Sequence, residues 1–204
     1  MNLTAVQEDA LTEVINIGFG RAAASLSKLT GQRVQLEVPH IAMCPLDELS
    51  DRLRPMIENE VASVHQIFSG AVAGDALLVI DQRSAAILKE LLTNEPALPL
   101  DIDASAREVL TEIGNILLNA CLGTFGNLLK VQVSFSVPHL SLETLEGIMS
   151  SIAVGRQGLR YALIVHAAFR LRDSSLTGYL VIVLSVASIE RLIRAIEQWE
   201  QDQR

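Results

Sequence analysis

Leu11-Thr12-Glu13-Val14-Ile15-Asn16-Ile17 and Leu110-Thr111-Glu112-Ile113-Gly114-Asn115-Ile116 are one phrase written twice, 99 residues apart. Downstream, Leu29, Val34, Val38, Pro39 and His40 recur at the same offset as Leu128, Val133, Val137, Pro138 and His139. On ordinary residue frequencies, one Glu, one Asn and one Pro at fixed spacings arise by chance at about one starting position in 10⁴. Two copies in register point to a tandem of two homologous halves, about residues 1–95 and 100–204. The repeat favours a single pseudo-two-fold domain over residues 1–204, long enough to bury a sizeable core.

Working outward from each phrase, Thr4-Ala-Val-Gln7 fits a capping box, and the helical pattern that it opens runs to Leu29 and stops at Gly31. In the second copy Ser105-Ala-Arg-Glu108 fits the same device, with a helix to about Leu129. Each helix feeds a strand predicted to end at Pro39 or Pro138, the second being the β-rich Val131 to Val137 stretch. Next come a short helix from Leu46 to Glu58 carrying Pro55, strands at Val61 to Ser69 and Ala71 to Asp81, and an amphipathic helix from Arg83 to Leu92. Thr93 to Asp103, with Pro96 and Pro99, reads as the linker. The second half retraces the order with a helical turn at Ser141 to Gly147, strands at Arg160 to Leu171 and Tyr179 to Ser185, and a helix from Ser188 to Trp199. Ser84 and Ser188 are the expected N-caps of the closing helices. The expected fold is α+β: a six-stranded, mainly antiparallel sheet with tight turns near Gly74 and Gly178. Two long helices carrying the motifs cover one face, with shorter helices besides.

Composition narrows the function. Half of the 204 residues are apolar but only 4% aromatic, so packing rests on Ala, Leu, Val and Ile. A net charge of −8 with scattered Arg and Lys argues against nucleic acid, which needs a clustered basic surface. The acidic start (Glu8, Asp9, Glu13) does not read as a signal peptide, and the apolar run Gly178 to Ile189 is too short to cross a bilayer. A cytoplasmic protein without membrane insertion is expected. Cys44 and Cys121 have no metal or redox spacing and read as small buried side chains.

Asp9, Glu13, Asn16 and Gly20 stand at i, i+4, i+7 and i+11, which places them on one helix face; Glu108, Glu112, Asn115 and Asn119 do the same. Any amphipathic helix needs a polar face, so a single copy would carry little. The recurrence of Glu and Asn at identical positions, while neighbouring surface residues differ, marks each stripe as a site.

The pattern Asp/Ser, three residues, Glu, two residues, Asn, twenty-two residues, Pro resembles the signature of the CheC/CheX/FliY phosphatases, which act on the phosphorylated chemotaxis regulator CheY. Asp9, Glu13, Asn16 and Pro39 match every position. Glu112, Asn115 and Pro138 match in the second copy, where Glu108 replaces the usual Asp or Ser. The family often has Gly before the Asn, kept as Gly114 and replaced by Ile15. The two-copy layout and length look most like CheC. By this resemblance the chain is a chemotaxis protein phosphatase hydrolysing the aspartyl phosphate of a CheY-like receiver. Asn16 and Asn115 would orient the attacking water, and Glu13 and Glu112 would dock the partner's lysine. Asp9, Glu108, Gly20, Pro39 and Pro138 would be supporting residues. No cofactor is expected on the chain itself, and Mg²⁺ is expected on the phosphorylated partner. The run Asn16-Ile17-Gly18-Phe19-Gly20 would admit a partner backbone, which inclines toward the first site as the more active. The alternative is a non-catalytic adaptor of the chemotaxis or flagellar switch system, for example a partner of the receptor deamidase CheD. Both copies of the Glu-Asn pair favour catalysis over that reading.

The repeat pairs His40 with His139, and His65 and His166, two residues out of register, fall in corresponding predicted strands. None has i, i+4 or H-x-H ligand spacing, so they are expected to be structural and no metal site is expected. The serines lack a nucleophile-elbow context, and Gly18-Phe-Gly20 lies inside a helix where no phosphate loop forms.

Overall fold

The fold is described from a computed structural model covering residues 3–55, 57, 60–70, 72–93, 103–128, 130–155, 159–171 and 174–203. The order is α1 (Ala5–Thr30), β1 (Val34–Pro45), a 3-10 turn (Leu46–Glu48), α2 (Leu49–Leu53), β2 (Val61–Gly70), β3 (Gly74–Asp81) and α3 (Gln82–Thr93). Then follow α4 (Ala104–Leu128), β4 (Val133–Phe135), β5 (His139–Glu143), α5 (Leu145–Gly155), β6 (Leu159–Leu171), β7 (Ser174–Ser185) and α6 (Val186–Gln203). Thus helix, strand, short helix, two strands and helix occur twice, with the first strand of the second half split into β4 and β5.

The strands form one sheet ordered β1-β6-β7-β3-β2-β4, with β5 also on β2, and every pairing is antiparallel. The α+β expectation holds, with one correction to the strand count. The sheet is six positions wide but has seven strands, because the last position is divided into β4 and β5. In the first copy, β1 passes through Pro39 with a register shift between Glu37 and His40 and continues to Pro45. In the second copy the strand breaks around Pro138, and β5 occupies Ser141 to Glu143, where a helical turn was expected; the helix starts at Leu145. Neither strand therefore ends at its proline. Proline lacks the N–H that a ladder needs, so it sits at a bulge in one copy and at a break in the other.

Each half gives its first strand to the other half. β1 pairs with β6, and β5 with β2, while β3 and β7 meet at the centre. The central strands are buried on both faces, as Ala76, Leu78 and Ile80 join one core cluster and Leu77 and Val79 the other. That is why Leu180 to Leu184 reads as an unbroken apolar run. One face is covered by α1, α3, α4 and α6, and the other by α2 and α5.

Local corrections follow from chemistry. The Thr4 hydroxyl accepts the Gln7 N–H and the Gln7 side chain accepts the Thr4 N–H, so the first capping box is present, and Gly31 closes the helix in the left-handed region. In the second copy the cap is Asp103, whose carboxylate accepts the Ala106 N–H at 2.8 Å, and Ser105 lies inside the helix. Asp103 stands 99 residues after Thr4, the same offset as the motifs. Lys89 Nζ donates to Asp103 at 2.8 Å and holds its carboxyl below the usual carboxylate range. Likewise Asp81 and Ser185, each just ahead of its helix, accept the N–H groups of Ser84 and Ser188, which are therefore not the caps. The β2–β3 connection does fall next to Gly74, the first residue of β3, whereas Gly178 lies inside β7, where it lets the Val79 carbonyl approach, and not at a turn. Pro55 falls beyond α2, and residues 94–102 of the expected linker lie outside the described residues. By length and composition α4 would span a bilayer, yet 56% of its most apolar window is buried inside the fold.

Candidate functional site

The two motif helices lie against each other over the same face of the sheet. Gly18 meets α4 closely: a Cβ there would stand 3.2 Å from Cys121 Cα and 3.3 Å from the Ala120 carbonyl. Gly18 therefore serves helix packing, which corrects the expectation that the whole small-residue run admits a partner. Gly20 is the exposed member of that run, with open space at its Cβ position. The Arg21 guanidinium, reaching Thr124 Oγ1 at 3.5 Å, adds a polar tie between the helices.

In α1, Leu11, Val14, Ile15, Phe19, Ala22 and Leu26 are buried, and Asp9, Glu13, Asn16 and Gly20 are exposed together on the opposite side. Among the described residues, Glu13 and Asn16 make no side-chain hydrogen bond or ion pair. In α4, Leu110, Ile113, Gly114, Leu117, Leu118 and Cys121 are buried, and Glu108 and Glu112 are exposed. Asn115 and Asn119 are half-buried, and Asn119 Nδ2 donates to Asn115 Oδ1 at 2.7 Å. Both stripes thus form as the spacing predicted, one open and one partly covered.

Their surroundings differ further. An open groove of about 660 Å³ runs beside Glu108 and Glu112, lined also by Arg107, Thr111 and the α1 end at Leu29 and Thr30. Sequence reading missed Arg107 and this α1 contribution, because both depend on how the helices cross. Beside the first stripe, the bend of β1 brings His40 Nδ1 within 3.8 Å of Glu8 Oε1, placing the residue after Pro39 next to the start of the motif helix. The position equivalent to Glu8 in α4 is Arg107, a reversal of charge. Of Pro138 the structure shows only that it lies half-buried between β4 and β5.

The position before each Asn also diverges. Ile15 is fully buried, whereas Gly114 lies so close to β2 that a Cβ would come within about 2.5 Å of Val64. The family's preferred glycine is here the point at which α4 rests on the sheet.

The remaining candidates lie elsewhere. His40 pairs across strands with His166 and His65 with His139. His65 Nε2 contacts the buried Asp75 at 2.9 Å, and His166 stacks on Tyr179 at 5.2 Å. No group of three or more His, Cys, Asp or Glu among the described residues is placed to share a metal ion. Both cysteines are free and buried, and burial pushes both thiols up, which disfavours the thiolate.

Comparison with known proteins agrees with the motifs. Residues 6–42, which contain the first Glu-Asn pair and Pro39, match the model of the CheC-like family. Over 200 residues the chain is 28% identical to the CheY-P phosphatase CheC of Bacillus subtilis, covering 93% of each chain. It is 27% identical over 148 residues to the flagellar motor switch phosphatase FliY of the same organism, a match spanning 69% of this chain and 37% of that relative. The fold matches the crystal structure of Thermotoga maritima FliY with a TM-score of 0.78 at 17% identity, covering 97% of this chain and 99% of that one. In sequence the chain is thus similar to CheC over nearly its whole length, with residues 6–42 matching the CheC-like family model, and its fold is the one seen in FliY.

Proposed function

We propose that the chain hydrolyses the aspartyl phosphate of a CheY-like receiver, using Glu13 with Asn16 and Glu112 with Asn115 as two sites on one two-halved domain. The observation that carries this reading is the state of the first pair: Glu13 and Asn16 lie side by side on an exposed helix face and make no internal hydrogen bond. The naming of relatives as CheY-P phosphatase and motor switch phosphatase supports the same reaction class.

An acyl phosphate on a receiver already has a carboxylate leaving group, and the receiver's Mg²⁺ offsets the charge of the phosphoryl oxygens. The missing part is a water held in line with the bond that breaks. A carboxamide holds it without adding charge, whereas a carboxylate there would repel the phosphoryl group. One turn earlier, the glutamate is placed to receive a cationic side chain of the receiver and so to fix the register of the amide. The site works where receivers are phosphorylated, in the cytoplasm.

The test follows phosphate loss from phosphorylated receivers with and without this chain. Stimulated loss that falls in Asn16→Ala and in Asn115→Ala supports the proposal. Binding without stimulated loss, to a receiver, to CheD or to switch proteins, would support the adaptor reading instead.

A further inference from the structure

The motif helices differ at one residue that touches the proposed water-orienting amide. Asn119 Nδ2 donates to Asn115 Oδ1 at 2.7 Å, and the Asn119 Oδ1 is buried without a partner. Ninety-nine residues earlier stands Gly20, with no side chain to reach Asn16 and nothing within 4 Å of where its Cβ would be. We propose that Asn119 is a positioning residue that turns the Asn115 carbonyl oxygen away from the attacking water, making the second site the slower of the two. This rests on the proposed phosphatase function.

A water attacking phosphorus must keep a lone pair toward it and give its protons to acceptors. The useful end of the amide is therefore Oδ1. In α4 that oxygen already spends one of its two lone pairs on Asn119 and is drawn along the helix toward the next turn. The NH₂ end is left freer, and an NH₂ donating to the water competes for the lone pair that should attack. Fixing an amide helps only when it is fixed in the productive orientation. The bond persists because Asn119 is half-buried with one polar atom already unsatisfied, so releasing its NH₂ would strand a second. Asn16 has no such neighbour and can present its oxygen to the water.

The experiment uses full-length single-site chains with a phosphorylated receiver as substrate. Asn16→Ala leaves the second site, and adding Asn119→Ala should raise its kcat by about two- to tenfold, the worth of one net hydrogen bond, with KM unchanged. Asn119→Leu, which keeps bulk and removes the donor, should do the same. Asn115→Ala leaves the first site, and adding Gly20→Asn should lower its kcat by a similar factor. A merely structural Asn119 would change thermal stability and leave kcat where it was or lower, and that result overturns the proposal. A second measurement needs no activity: in side-chain amide NMR of the unmodified chain, the Asn119 NH₂ protons should exchange slowly and the Asn115 signal should move in Asn119→Ala. Fast exchange with an unmoved Asn115 signal overturns the proposal. If neither single-site chain stimulates any receiver, the phosphatase function fails, while the NMR result separately decides whether the amide bond exists.

Discussion

α1 and α4 carry the same Glu and Asn at the same spacing, yet their supports differ at a few decisive neighbouring positions. Ile15 fills a space against the sheet, while Gly114 lets α4 rest directly on Val64. Gly20 leaves Asn16 open, while Asn119 ties Asn115. Glu8 meets His40, and Arg107 holds the corresponding place in α4. The strands that follow diverge as well: β1 runs through its proline with Val38 buried, whereas β4 and β5 separate and leave Val137 88% exposed. Keeping the motif residues has not kept their surroundings, which are set by residues one step or one turn away.

Four experiments would break or sharpen this comparison. The largest effect on stability is expected for Ile15→Ala, which should cost about 2–5 kcal/mol in chemical denaturation by opening a cavity in a fully buried position. Gly114→Ala should cost about 1–3 kcal/mol by forcing α4 off Val64, despite alanine's better helix propensity. An equal or stabilising effect of Gly114→Ala would deny the close approach. Next come the caps. Thr4→Ala should cost about 1 kcal/mol at any pH, because a hydroxyl does not titrate in the working range. Asp103→Ala should destabilise at neutral pH and lose its effect in acid. The folded-state pKa of Asp103 is lowered, so its contribution is present above the ordinary carboxylate range and vanishes as pH falls through the lowered value. Thermal melts of both variants from neutral to strongly acidic pH check this difference. The smallest effect is expected for Arg107→Glu, a surface change worth under about 1 kcal/mol. In the single-site chain Asn16→Ala it should change the salt dependence of kcat/KM, and in Asn115→Ala, whose turnover comes from the first site, it should not.

Much of this was legible in the sequence. The apolar positions between Leu11 and Leu26 set the buried side of α1 and hence the exposed stripe, and the short connections between successive strands pointed to the antiparallel sheet. The exchange of first strands between halves was not legible, since local periodicity carries no information about which strand pairs with which. The broken strand at Pro138 was hidden because Val133, Val137 and Pro138 repeat β1's residues while the backbone differs. Asp103 could have been found by carrying the 99-residue offset back to Thr4. Arg107 and the end of α1 beside Glu112 emerge only when two helices cross, and the Asn115–Asn119 bond depends on side-chain orientations that spacing allows but does not fix.

The most direct test of the central claim is the stimulated dephosphorylation of a phosphorylated CheY-like receiver by the double variant Asn16→Ala, Asn115→Ala, with circular dichroism and receiver binding followed alongside. The account predicts a folded protein that still binds the receiver and no longer accelerates phosphate loss. A folded double variant with undiminished activity would contradict it.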